Sequence, residues 1–304
     1  MTGFLAHLRF PILPFGRRLR QRRLPKCLGK LYRLDRLAFG DVCILALDCS
    51  EKELSHLHDV CTKYIAPCLS HCKMWFTPSS CLSRLQICVL GSKAEISYLP
   101  NGVRMILDGS SRHGCFDSDT LSAFVKFIDE APLSSSLVHE LFHAWTASVS
   151  GCYPFPLVIE EGFARAVERA CECRPLIYEL HQGITGGAYL ESNWSTIPFF
   201  SIRELLGLWP AQYESLDNLA MCSVYWETDA LIAFLFKYCA QAPGLVGFYD
   251  LLRSFPLRRD NRTLRLAQLC NMTIERMESE FVNLVRGGDW VPFGSGSASK
   301  ALNT

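Results

Sequence analysis

The run His139-Glu140-Leu141-Phe142-His143 constrains this chain more than any other feature, because its residue types make chemical sense only on a helix. On a helix, residues four apart share a face. His139 and His143 would then point the same way and hold one metal ion between their imidazoles. Glu140 stands one step round from that face, within reach of a water at the metal. A catalytic centre of this kind needs a third protein ligand and one open position. Glu161, in the run Glu161-Gly162-Phe163-Ala164, is the best candidate. Glu160 is its rival, but the small Gly162 directly after Glu161, where two helices must approach, favours Glu161.

The flanking sequence supplies the helices. Leu133 to Val149 reads as one helix, with Ser134, Ser135 and Ser136 at its start and an apolar face through Leu137, Val138, Leu141, Phe142 and Trp145. Gly151 and Pro154 end it. A second helix is expected from about Pro156 to Cys173, with Glu161 in its first half. Two helices joined by a short Gly/Pro loop can face each other and bring ligands together. The pattern is that of zinc hydrolases, so Zn2+ is the expected cofactor. Glu140 would take a proton from the attacking water and pass it to the leaving amine. A surface glutamate is the plainer alternative for Glu160 or Glu161.

Composition narrows the partners. Net charge is +1, which argues against nucleic acid or an anionic membrane as the main partner of the folded part. No run reaches the length of a transmembrane helix. Near the N-terminus a moderately apolar stretch, Phe4 to Phe15, precedes the basic cluster Arg17, Arg18, Arg20, Arg22, Arg23 and Lys26. A secretory signal has the opposite order. The segment reads as a solvated, poorly ordered basic tail, with a nucleic-acid, membrane-surface or targeting role as the alternatives. The 15 cysteines are an odd number and scattered, several inside apolar runs such as those around Cys43 and Cys88. They read as small hydrophobes kept reduced in the cytosol. The pairs Cys171/Cys173 and Cys68/Cys72 lack a matching second pair at zinc-finger spacing. Sequons at Asn193, Asn261 and Asn271 matter only in an exported chain.

Further elements follow from periodicity. Asp41 to Asp48 and Leu85 to Leu90 read as buried strands, and Glu51 to His71 as a helix with Ser50 as N-cap and Pro67 kinking or ending it. Glu95 to Tyr98 and Val103 to Asp108, flanking Pro100-Asn101-Gly102, read as a hairpin, and Ser118 to Phe127 as a helix. Gly183 to Ser195 reads as a loop. Helices are expected at Ser201 to Leu208, Met221 to Tyr238, Leu245 to Phe255, Arg262 to Leu269 and Thr273 to Arg286, and Gly294 to Thr304 as a Gly/Ser tail.

The runs His139 to Trp145 and Glu161 to Ala164 resemble those of the gluzincin clan of zinc metallopeptidases. They are most similar to the peptidase MA-like families of thermolysin and the zinc aminopeptidases. The resemblance covers about Leu133 to Glu168 and implies His139, His143 and Glu161 as zinc ligands and Glu140 as general base. It also implies Tyr225, in Tyr225-Trp226-Glu227-Thr228-Asp229-Ala230, as an oxyanion donor, since a phenol O–H suits a developing negative charge. A tyrosine of a packed helix is the plainer reading. Glu168, two turns from Glu161 on the same face, would accept a hydrogen bond from a ligating imidazole; a solvated glutamate is its alternative. The chain departs from the clan in three ways. It has no amino-terminus-binding run like that of aminopeptidases, it is shorter than a full aminopeptidase, and Arg165 stands where thermolysin-like enzymes carry Asp. Clan architecture further implies that the strand Val103 to Asp108 is the edge on which a peptide lies.

The expected fold is α+β. A zincin-like small mixed sheet with helices precedes an all-helical C-terminal half, with the active-site cleft between them. The segments are 1–35 as a basic tail, 36–175 as the α/β part with the metal helices, 176–290 as the helical part and 291–304 as a flexible tail. The expected function is peptide-bond hydrolysis on a peptide or protein substrate in the cytoplasm. The alternatives are a catalytically inactive zinc-binding scaffold or interaction module, or a protease acting on one partner protein.

Overall fold

A computed structural model of the chain describes residues 14–75, 85–108, 113–127, 133–150, 156–171, 199–208, 212, 215–216, 218–238 and 261–287. The expectations for Gly183–Ser195, Leu245–Phe255 and Gly294–Thr304 lie outside them. The chain divides into two compact units, Met1–Ile65 with Ser80–Cys152, and Ala66–Ser79 with Tyr153–Thr304.

The first unit is built on a mixed five-stranded sheet of order β1-β2-β3-β5-β4. Its strands are β1 (Leu34–Phe39), β2 (Val42–Leu47), β3 (Leu85–Leu90), β4 (Gly114–Asp117) and β5 (Ser122–Lys126). β2, β3 and β5 run parallel, while β1 and β4 are antiparallel edges. The central strands are apolar without alternation, as strands covered on both faces require. On one face Leu45, Leu47, Cys88, Leu90, Cys115 and Phe124 pack beneath α1 (Pro14–Leu28) and α3 (Asn101–Asp108). On the other lies α4 (Leu133–Ser150), packed against β3, β4 and β5.

The two expected strands and the expected helix 201–208 agree with β2, β3 and Ile202–Gly207. Four readings are corrected. Val103–Asp108 is not a strand but part of α3, because Val103 and Leu107, four apart, both bury their side chains while Arg104 N–H donates to Pro100 C=O at 2.9 Å. Glu95 to Tyr98 lies in and beside a single 3-10 turn, Ile96–Tyr98. Ser118 to Phe127 is not a helix but the turn and second strand of a hairpin. Asp117 there accepts from the Asp119 and Thr120 N–H groups and the Thr120 hydroxyl, and Leu121 takes φ 51°. Within the N-terminal stretch, Pro14–Leu28 forms a helix, α1. α1 buries Leu24 and Leu28, Gln21 donates to Leu121 C=O at 3.0 Å, and Arg20 pairs with Asp119 at 3.3 Å.

Helix α2 (Glu51–Trp75) begins at Ser50 as expected. The Ser50 hydroxyl accepts from Glu53 N–H, and the Glu53 carboxylate accepts from Ser50 N–H and from Ser92 N–H. Burial would raise the Glu53 carboxyl, but these donors outweigh it and hold it down to about 2. The helix continues past Pro67 rather than ending there. Among the described residues the cysteines are free thiols, and all but Cys27 and Cys43 are buried.

The second unit, among the described residues, is helical: α5 (Leu157–Ala170), α6 (Ile202–Gly207), α7 (Asn218–Tyr238), α8 (Arg262–Leu269) and α9 (Ile274–Gly287). α7 is its centre, packed against α5, α6 and α9 through buried Val224, Leu231, Ile232, Phe234 and Leu235. Phe234 meets Phe281 of α9 edge-on at 6.3 Å. The short α6 is held at its start by carboxylates: Glu227 accepts from Phe200 N–H, Glu204 from Ser201 N–H, and Glu278 from Ile202 and Arg203 N–H. The Ser201, Ile202 and Arg203 groups are among the donors that a helix leaves open at its N-terminus. Among the described residues no helix is long and apolar enough to cross a membrane.

Candidate metal centre

α4 is almost wholly buried from Leu137 to Ala147, so its register is set by packing on the sheet. The spacing of four places His139 and His143 on adjacent turns of one face. Their Nε2 atoms stand 3.1 Å apart. Two nitrogens bound to one zinc at about 2.0–2.1 Å in tetrahedral geometry are separated by roughly 3.3 Å, so the imidazoles are close enough to hold one metal ion. His143 is 7% exposed and stacks edge-on with Phe142, while His139 is half-buried.

Glu161 completes the group. Each of His139, His143 and Glu161 offers one ligand atom, and these atoms all lie within 4.8 Å of one another. Donors of a tetrahedral zinc set lie closer, at roughly 3.3 Å from one another. Two imidazoles and one carboxylate form a donor set suited to zinc. Glu160, the rival, is not in the group. It is the only such group of histidine, cysteine or acidic residues among the described residues.

Glu140, the expected base, is 6% exposed and points toward the first residue of β4. An ideal Cβ placed on Gly114 would lie 2.7 Å from Glu140 Cγ and 2.8 Å from its Oε1.

α5 is held on α7 in two ways. Gly162, the residue after Glu161, lets the helices come close: a Cβ there would lie 2.6 Å from Ile232 Cγ1 and 2.8 Å from Thr228 Cγ2. The apposition of a small residue to a second helix was legible in the sequence, although not its partner. Further along α5, Arg165 and Arg169 share Asp229 of α7. Arg165 reaches Asp229 Oδ1 at 2.9 Å and Arg169 reaches Oδ2 at 2.8 Å. Burial alone would raise the Asp229 carboxyl, but the two guanidinium groups outweigh it and hold it below the usual aspartate range. This triad was not anticipated. The only sequence signal was two arginines four apart in an otherwise apolar helix and one acid in an apolar run.

Tyr225 lies on α7, half-buried, with the Arg165 guanidinium 4.5 Å from its ring centroid. Arg165 Nη2 also donates to the Tyr225 carbonyl at 2.9 Å. Arg165, a departure from thermolysin-like enzymes, is therefore the residue that fixes Tyr225 and Asp229 to α5. Glu168 is 3% exposed, so it is not the solvated glutamate of the plainer reading. Its charge bears on the Cys171 thiol, which is raised first by its hydrogen bond with Cys68 and then by burial.

Compared with known proteins, the chain matches no protein-family model and no curated protein.

Proposed function

We propose that this chain is a zinc-dependent metallopeptidase-like hydrolase of the gluzincin type, with a zincin-like first unit. The observation that carries the reading is the convergence of the His139, His143 and Glu161 donor atoms within 4.8 Å, with Glu140 one residue along the same helix. A structural metal site has no need of a carboxylate base beside it. Zinc bound there would polarise the scissile carbonyl and lower the pKa of a water to about 7.

The chain's residues supply the rest. His139 and His143 ligate as neutral imidazoles, and Glu161 contributes one negative charge. The Glu140 carboxylate takes the proton of the attacking water and delivers it to the leaving amine. The Tyr225 hydroxyl donates to the oxygen on which negative charge develops. Glu168 accepts a hydrogen bond from a ligating imidazole and fixes its tautomer.

The substrate is an extended peptide that adds to an open sheet edge. α3 removes Val103–Asp108 from that role, and the open strand beside α4 is β4. His113 C=O accepts from Lys126 N–H at 2.7 Å, which makes the next pair, Gly114 and Val125, the kind whose main-chain groups face away from each other. Gly114 N–H and C=O thus point off the edge.

The test is turnover of a mixed peptide library by the zinc-loaded chain. Cleavage that chelation stops and Glu140→Gln abolishes is expected. Zinc binding with no cleavage would instead favour a scaffold that keeps the site without the activity.

A further inference from the structure

Glycine at position 114 needs an explanation, because the backbone does not require it. Among the described glycines only Gly40 has a positive φ, so an L side chain fits the conformation at 114. What a side chain would lack is space, and the nearest obstacle is one residue. The three nearest atoms to an added Cβ are Glu140 Cγ at 2.7 Å, Oε1 at 2.8 Å and Cδ at 3.1 Å.

Two other crowded glycines differ in kind. A Cβ on Gly91 would meet the Asp48 carbonyl oxygen at 2.4 Å and other main-chain atoms, and one on Gly162 would meet packed Ile232 and Thr228. Substitution at those positions strains the fold. At Gly114 the nearest obstacle is the Glu140 side chain from Cγ outward, which has rotatable bonds and can turn aside. The consequence falls on where the Glu140 carboxylate sits.

We propose that Gly114 is a positioning residue: the missing side chain at the start of the edge strand makes the space that holds the Glu140 carboxylate in place. This rests on the reading of Glu140 as general base. A methyl at 114 turns the carboxylate away from the attacking water, and displacement of a reacting group by about 1 Å can cost on the order of a hundredfold in rate. The imidazoles of His139 and His143 are not among the atoms nearest to it, so metal binding persists.

The experiment compares the wild type, Gly114→Ala, Glu140→Gln and the double variant, all zinc-loaded, for zinc content, thermal unfolding and hydrolysis of a quenched fluorescent peptide library. The expected result for Gly114→Ala is wild-type zinc content and a fall in kcat of at least about tenfold with KM little changed. The substitution adds no further loss in the Glu140→Gln background. Undiminished kcat in Gly114→Ala, or an equal loss in both backgrounds, overturns the proposal while leaving the enzyme reading intact. A wild type that hydrolyses nothing overturns the enzyme reading, and the proposal with it. Should Gly114→Ala unfold, Gly114→Ala/Glu140→Ala decides: recovery of folding is expected because the obstructing side chain is gone, and failure to recover overturns the proposal.

Discussion

The Nε2 atoms of His139 and His143 stand 3.1 Å apart on adjacent turns of a buried helix. At this spacing one Nε2–H can donate to the other Nε2 when the tautomers allow, and a zinc ion would instead accept both lone pairs. His143→Ala is expected to weaken zinc binding by more than the roughly 10–100-fold that follows loss of an outer-shell partner. Competition with a calibrated chelator measures it. Affinity within a few-fold of wild type would mean that the pair does not chelate.

Gly162 sets how closely Glu161 is carried to its place. Gly162→Val puts two methyl groups where Ile232 and Thr228 already lie, and overpacking of this kind costs about 1–3 kcal/mol. Helix α5 must move off α7 and take Glu161 with it. Urea unfolding should show the lost stability, and the same variant should bind zinc more weakly. A variant with wild-type stability and affinity would show that the close approach plays no part in placing the ligand.

Asp229 joins two buried arginines. Asp229→Asn leaves both guanidinium groups short of counter-charge, and breaking a buried pair in this way costs about 3–5 kcal/mol. The carboxyl is held below its ordinary pKa, so its contribution is present above the unfolded aspartate pKa and is lost as pH falls through the lower folded value. The stability gap between wild type and variant should therefore be full at neutral pH and close in strong acid. A gap that stays constant across that range would contradict the ion-pair account.

Glu227 titrates in the opposite sense. Burial pushes its carboxyl from an ordinary 4.5 to about 8, against the hydrogen bonds from Ser223 and Phe200. The folded chain then binds more protons than the unfolded chain between those values, so stability falls as pH rises from about 4.5 to about 8. Glu227→Gln should flatten that slope, read from unfolding midpoints at pH 5 and pH 8. Equal slopes in both proteins would show that Glu227 ionises normally in the fold.

The helix that carries His139 and His143 was legible because the sequence carries both signals at once. Ligand types at a spacing of four sit on an apolar periodic run, and both point to the same helix at Leu133–Ser150. β2 and β3 were legible as short apolar runs bounded by charge. Where two periods compete within a few residues, local reading failed. Val103 and Leu107 fit an amphipathic helix, but Pro100-Asn101-Gly102 also fits a turn, and packing against the sheet decided for α3. Ser122–Lys126 contains too few residues to separate strand from helix, and it was settled by pairing with β3 across long sequence separation. β1 was invisible because Asp35 and Arg36 mask an edge strand, whose outer residues stay wet. Gly114 carried no signal at all, since its meaning lies in a glutamate brought to it by the fold.

The most direct measurement is the metal content of the purified chain by elemental analysis, beside Glu161→Ala. About one zinc per wild-type chain is expected, lost or much weakened in the variant. A wild type that takes up no zinc even after reconstitution would contradict it.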